Sequence, residues 1–114
     1  MEIAMKIEIL EFYPKKPENS KSKFGSIKIK IDDKIVVCGV NVKGRKGKLY
    51  LMLPGMWGVD HVTKKRVRYP AVSFGEGTRK TLNELAVVAD EFIEAWFKSH
   101  PECALIAAFA GYHQ

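Results

Sequence analysis

The chain is 114 residues long, 46% apolar and 28% charged, the make-up of one globular domain whose core is large enough to stand without disulfide or metal staples. Its longest uncharged apolar stretch, residues 103–112, is far shorter than the ~20 residues a membrane-spanning helix needs. The net charge of +6 is local: residues 43–69 carry Lys43, Arg45, Lys46, Lys48, Lys64, Lys65, Arg66 and Arg68 against Asp60 alone, a net of +7 that leaves about −1 for everything else.

Residues 3–13 set Ile7 and Ile9 against Lys6 and Glu8, which predicts a strand with one buried face, closed by Pro14. The same alternation of charged and apolar residues lacks the continuous apolar run of a secretory signal. A polar connector over 15–23 follows. Residues 24–31 give the clearest strand signal, with Ile27, Ile29 and Ile31 on one side and Lys28 and Lys30 on the other. Asp32-Asp33 makes a tight turn, and the β-branched run 35–42 returns antiparallel. After a turn at 44–47, residues 48–53 form a fourth strand that Pro54-Gly55 stops, since proline cannot donate to a sheet ladder. Residues 54–65 read as a loop with its own anchors, and 67–74, interrupted by Pro70, as a fifth, edge strand.

Beyond Gly77 the period changes. Leu82, Leu85, Ala86, Ala89, Phe92, Ile93 and Trp96 recur at the three- and four-residue spacing of an amphipathic helix. Thr81 with Glu84 can form a capping box, and Thr78 is an equal candidate for the start. Ser99-His100-Pro101 ends the helix, and residues 102–114 are an apolar, Ala-rich tail. The expected fold is α+β: an antiparallel β-meander of four to five strands, one long C-terminal amphipathic helix and a short apolar tail. It forms a single domain over 1–114, with sheet and helix in 1–98 and the tail in 99–114.

Two cationic clusters around the apolar run 49–54 point to a polyanionic partner, nucleic acid first. A lysine row such as Lys28 and Lys30 is by itself a solvated strand face. Combined with the clusters it can follow a phosphate backbone, each neutralised phosphate adding ~0.7 to the salt slope for single strands and ~0.9 for duplex. Tyr50, Trp57 and Tyr69 lie in the basic region and are candidates for base stacking, although a tryptophan after Pro54-Gly55 also suits a loop anchor. Phe92, Trp96 and Phe97 belong to the helical stripe, as core or dimer contacts.

Nothing points to catalysis. Asp60-His61 has no third partner, the turn accounts for Asp32-Asp33, His100 precedes Pro101 at a helix end and His113 is terminal. No phosphate loop, dinucleotide fingerprint, metal-ligand spacing or nucleophile elbow is present, so neither a metal nor a cofactor is expected. Cys38 and Cys103, far apart and outside any CxxC pattern, read as reduced packing residues of a cytoplasmic protein.

Five passages carry a likeness. Ser26-Ile-Lys-Ile-Lys-Ile-Asp32, Ile35-Val-Val, Gly47-Lys-Leu-Tyr-Leu-Met-Leu-Pro54, Arg68-Tyr-Pro-Ala-Val and Thr78-Arg-Lys-Thr-Leu-Asn-Glu-Leu-Ala86 stand in the order and spacing of the sporulation stage V protein G (SpoVG) family, which the chain resembles over residues 5–97. The resemblance implies a small dimeric nucleic-acid-binding regulator, acting on transcription or on RNA, with contacts just after the fourth strand. At that place this chain reads Pro54-Gly-Met-Trp57, without a cation, so the contacts would pass to Lys64, Lys65, Arg66 and Arg68. Arg79 and Lys80 match the family's helix-opening pattern. A second likeness, through Lys43-Gly-Arg-Lys-Gly-Lys-Leu with Trp57 downstream, is to the single-stranded-DNA-binding coactivator fold of four strands and a helix; there the helix begins near the tryptophan, whereas residues 58–70 here are not helical in pattern.

The expectation is a homodimeric, cytoplasmic, non-enzymatic regulator with no membrane partner. It binds DNA and/or RNA mainly through phosphates, using Lys43, Arg45, Lys46, Lys48, Lys64, Lys65, Arg66, Arg68, Arg79 and Lys80. The alternatives are a non-specific single-stranded-DNA-binding protein and an adaptor whose basic face docks an acidic protein while its tail packs against a second chain.

Overall fold

Alternating isoleucines and a single amphipathic helix commit the chain to a sheet with one covered face, and the computed structural model has that architecture; it describes residues 6–16, 23–70, 74–75 and 77–112. Strands β1 (Ile7–Pro14), β2 (Lys23–Ile31), β3 (Ile35–Arg45) and β4 (Lys48–Met52) form an antiparallel meander in the order β1-β2-β3-β4. Strands β5 (Gly55–Val59) and β6 (Arg66–Pro70) form a separate two-stranded sheet. Helix α1 (Thr78–Lys98) is followed by a 3-10 turn, Pro101–Cys103, and a short helix α2 (Ala104–Phe109).

The α+β class and the meander agree with expectation; residues 55–59 do not. Two glycines and no alternation make that stretch look like a loop, yet it pairs with β6 in the register Met56↔Tyr69, Trp57↔Arg68 and Gly58↔Val67. Pro70, opposite Gly55, sits at the open end of this hairpin, where a missing N–H interrupts no further ladder. The hairpin, an arm of the domain, packs mainly on itself. The radius of gyration is 15.4 Å, against roughly 13 Å for a compact chain of this length.

Three bulges decide which side chains face the helix. Between β2 and β3 the register passes from Ile27↔Val40 to Ile29↔Val37, so Cys38 and Gly39 together oppose Lys28. Gly39 takes the positive φ, 79°, that this bulge requires, and Val37 and Val40 both point into the core. Between β1 and β2 the register skips Leu10, which turns Phe12 inward and Tyr13 outward. The third bulge, at Phe24, buries that ring completely.

The core lies between the inner sheet face, with Ile27, Ile29, Val40, Val42 and Leu51, and the α1 stripe of Leu82, Leu85, Ala86, Ala89, Ile93 and Phe97. At one end it becomes aromatic. Phe12 meets Phe24, Trp96 and Phe97 edge-on at centroid distances of 6.1, 5.2 and 5.4 Å, and Tyr112 lies against Phe24 and Phe97. Helix α1 starts at Thr78, the Oγ1 of which accepts from Phe74 N and donates to Gly75 O, so Thr81 is a first-turn residue and not the cap.

The C-terminal segment folds back as part of the domain: Ala107, Ala110 and Tyr112 are buried, while Leu105 and Phe109 stay on the surface. Ala110 O accepts a hydrogen bond from Lys46 N at 2.8 Å, which fastens the β3–β4 turn to this segment. Cys103 is half-buried, but Cys38 is exposed in its bulge and is not a packing residue; both are free thiols.

Gly25 is required by close approach. A Cβ there would lie 2.6 Å from both Phe12 Cε1 and Tyr13 O. Gly25→Ala is expected to cost about 1–3 kcal/mol by overpacking, seen as a lower urea midpoint at unchanged m-value; an unaltered midpoint would mean that the β1–β2 contact is looser than described.

Candidate nucleic-acid interface

Because α1 covers one sheet face, residues alternating with the core positions share the other, open face. These are Glu8, Glu11 and Tyr13 on β1, Lys23, Ser26, Lys28 and Lys30 on β2, Val36, Asn41, Lys43 and Arg45 on β3, and Lys48, Tyr50 and Met52 on β4. Strand pairing orders them into rungs. Tyr13, Ser26, Asn41 and Met52 form one rung across all four strands; Lys43 and Tyr50 form the next, and Arg45 and Lys48 the one after. Both acids oppose the β2 lysines, Glu11 across from Lys28 and Glu8 across from Lys30, so the charged residues of the β3–β4 half of the face are all cations.

The ten cations expected to bind separate into two kinds. Lys46 forms an ion pair with Glu94 at 2.8 Å, holding the Glu94 carboxyl below its usual range while its own ammonium is pushed up. Next to it Gly47 N donates to Asp90 Oδ2 at 3.1 Å, and Tyr112 OH donates to the other Asp90 oxygen. Burial, then the Asp90 carboxylate, raises the Tyr112 phenol well above its ordinary value. The β3–β4 turn is thus clamped to α1, and Lys46 serves that clamp.

Arg68 and Arg79 serve the free edge of the sheet. Arg68 Nη2 donates to Leu53 O, and Arg79 Nη1 donates to Leu51 O at 3.1 Å. Carbonyls two residues apart on a strand face the same side, so both arginines cover the edge that β4 leaves unpaired. The Arg79 guanidinium also lies over the Tyr50 ring, 4.3 Å from its centroid. Arg79→Ala is expected to lower stability on the order of 1–2 kcal/mol through loss of the charged hydrogen bond and the ring contact. Thermal melts decide this: an unchanged Tm would show that Arg79 does not hold the edge.

Lysines and one arginine without ion pairs make up most of the rest. Among the described residues Lys28, Lys30, Lys43, Arg45, Lys48, Lys64 and Lys65 form no ion pair. Lys64, Lys65 and Arg66 are exposed at the tip of the β5–β6 arm, and Lys80 is exposed in the first turn of α1, on the helix layer. The backbones of Trp57 and Tyr69 pair within the arm; their side chains lie outside the described residues. Of the three stacking candidates Tyr50 is placed on the open face, 47% exposed. Tyr13, absent from the expectation, is 46% exposed on the same face.

Asp60 shapes the arm's tip. Its Oδ1 accepts from Val62 N and Thr63 N, both at 2.8 Å, and these two bonds, Thr63 first, hold its carboxyl below the usual aspartate range. A depressed carboxyl stabilises above its unfolded-state pKa, and this contribution fades as pH falls through the folded-state value. The Val62 and Thr63 amide signals are therefore expected to titrate together below the ordinary aspartate pKa in an NMR pH series; a normal pKa would contradict the turn. His61 and the arm's Val62 point into solvent, and Asp32 and Asp33 occupy a hairpin turn with φ of 52° and 58°. Among the described residues no three His, Cys, Asp or Glu side chains are grouped to hold a metal ion, and no helix is long and apolar enough to cross a membrane.

Comparison of the chain with family models, with curated proteins and with solved structures finds no match in any of the three.

Proposed function

We propose that this protein binds nucleic acid as a small, non-catalytic regulator, with most of its affinity coming from phosphate contacts. One observation carries the reading: among the described residues seven lysines and arginines without ion pairs are divided between an open sheet face and the β5–β6 arm, while the acids lie on β1, on α1 and in turns. A covered sheet with one polar, cationic face gives a backbone a surface to follow, and the arm supplies a second group of charges. The sequence likeness to SpoVG-type regulators supports the same reading, and the homodimer and cytoplasmic setting expected of such a regulator belong to the proposal. Lys46, Arg68 and Arg79 are left out of the contact set because their donors are already engaged.

Lys64→Ala with Lys65→Ala tests it against a panel of labelled DNA and RNA oligonucleotides. Equal weakening of all sequences, with a shallower salt slope, is the expected result. Loss confined to one sequence would replace phosphate contact by base reading at the arm, and absence of binding by the unaltered protein at low salt would reject the proposal.

A further inference from the structure

We infer that the nucleic acid taken by the open face is single-stranded, its bases stacking on Tyr13 and Tyr50; the inference rests on the nucleic-acid reading above and deepens it. Among the described residues the two tyrosines are the large aromatic side chains that the open face exposes, at 46% and 47%. They stand on the outer strands of the meander, on neighbouring rungs: Tyr13 opposite Ser26 on β1, Tyr50 opposite Lys43 on β4. Three inter-strand spacings of ~4.8 Å, with one rung of offset, place them about 14–16 Å apart. Base pairs in a duplex present their edges and keep their ring faces stacked. Only a chain whose bases are splayed out offers a face to each of two rings so widely separated.

The surroundings suit that ligand. Ser26 and Asn41 lie on the Tyr13 rung, between the two rings, and present a hydroxyl and an amide that can bond base edges or sugar hydroxyls. Lys43, Lys48 and Arg45 continue past Tyr50 with no acid on that half of the face, which gives the phosphates a path. Arg79 over one side of Tyr50 fixes the ring and leaves its other side to a base, so the platform is preorganised and carries a positive charge behind it. A four-stranded face is wider than the helix or two-stranded ribbon that a major groove admits, whereas a single strand lies across it.

The test compares a labelled single-stranded 12-mer, as DNA and as RNA, with a duplex of the same sequence, for the unaltered protein, Tyr13→Leu, Tyr50→Leu and Tyr50→Phe. The unaltered protein is expected to bind the single strand more tightly than the duplex at equal salt. Each leucine variant is expected to lose about 5- to 150-fold on the single strand at an unchanged salt slope, the range for one stacked base. Tyr50→Phe keeps the ring and is expected to bind as the unaltered protein does, which separates stacking from a folding defect. Duplex bound as tightly as single strand, or leucine variants that bind normally, would overturn this inference and leave the phosphate reading standing. No binding of any oligonucleotide at low salt would overturn both.

Discussion

Phe24→Ala is expected to lower the stability of the domain by about 3–5 kcal/mol, the cost of removing a fully buried ring and leaving its cavity. Phe24 touches Phe12 and Tyr112, and through them Trp96 and Phe97, so one truncation loosens β1, β2, the end of α1 and the C-terminal segment together. The bulge at Phe24 turns this ring into the core, next to Gly25 and its close approach to Phe12. Chemical denaturation measures the effect. A loss below about 1 kcal/mol would mean that the aromatic end of the core is not the tight cluster described. Since Tyr112 belongs to that cluster, removing the last thirteen residues should also destabilise the chain, which makes such a truncation unfit as a test of oligomerisation.

The second large effect falls on binding. Replacing Lys28, Lys43 and Lys48 together by alanine removes three cations from the open face and no ion pair. The triple variant should fold within about 0.5 kcal/mol of the unaltered protein, as surface changes away from packed features do. If each lysine neutralises one phosphate of a single strand, the salt slope falls by about 2, and binding weakens on the order of 100-fold near 0.1 M salt. A variant that binds as tightly as the unaltered protein would move the contact surface off the sheet and onto the arm. A variant that unfolds would instead contradict the assignment of these lysines to a free surface.

The meander was legible because Ile27, Ile29 and Ile31 alternate with Lys28 and Lys30, and α1 because its apolar stripe holds its spacing over about four turns. What escaped has local causes. Strand β5 is hidden by Gly55 and Gly58, since a short strand of a two-stranded arm needs neither alternation nor a buried face. Tyr13 shares parity with Ile7 and Ile9, so regular alternation puts it in the core; the bulge at Leu10 sends it outward and Phe12 inward. Nothing in residues 102–114 announces that Ala107, Ala110 and Tyr112 pack against distant strands.

The candidate site shows the same division. The number of cations and their place in the chain are open to reading, and Lys43, Lys48 and Tyr50 do share one face. Which cations are already engaged is not, because Lys46, Arg68 and Arg79 find their partners 48, 15 and 28 residues away. Such pairings depend on the fold and leave no mark in composition. The cluster of the β5–β6 arm gives up Arg68 and keeps Lys64 and Lys65 without ion pairs, whereas that of the β3–β4 turn gives up Lys46 and keeps Lys43, Arg45 and Lys48 on the open face. Both clusters therefore keep a part in the proposed interface, and neither is dispensable on structural grounds.

The central claim is phosphate-driven binding, and anisotropy titration of one labelled oligonucleotide with the unaltered protein at 50 and 200 mM salt tests it most directly. The account predicts binding that weakens steeply as salt rises, with a slope between about −2 and −5 for a single strand, set by how many of the seven free cations engage. Binding that ignores salt, or no binding at 50 mM, would contradict it and turn attention to an acidic protein as the partner of the same face.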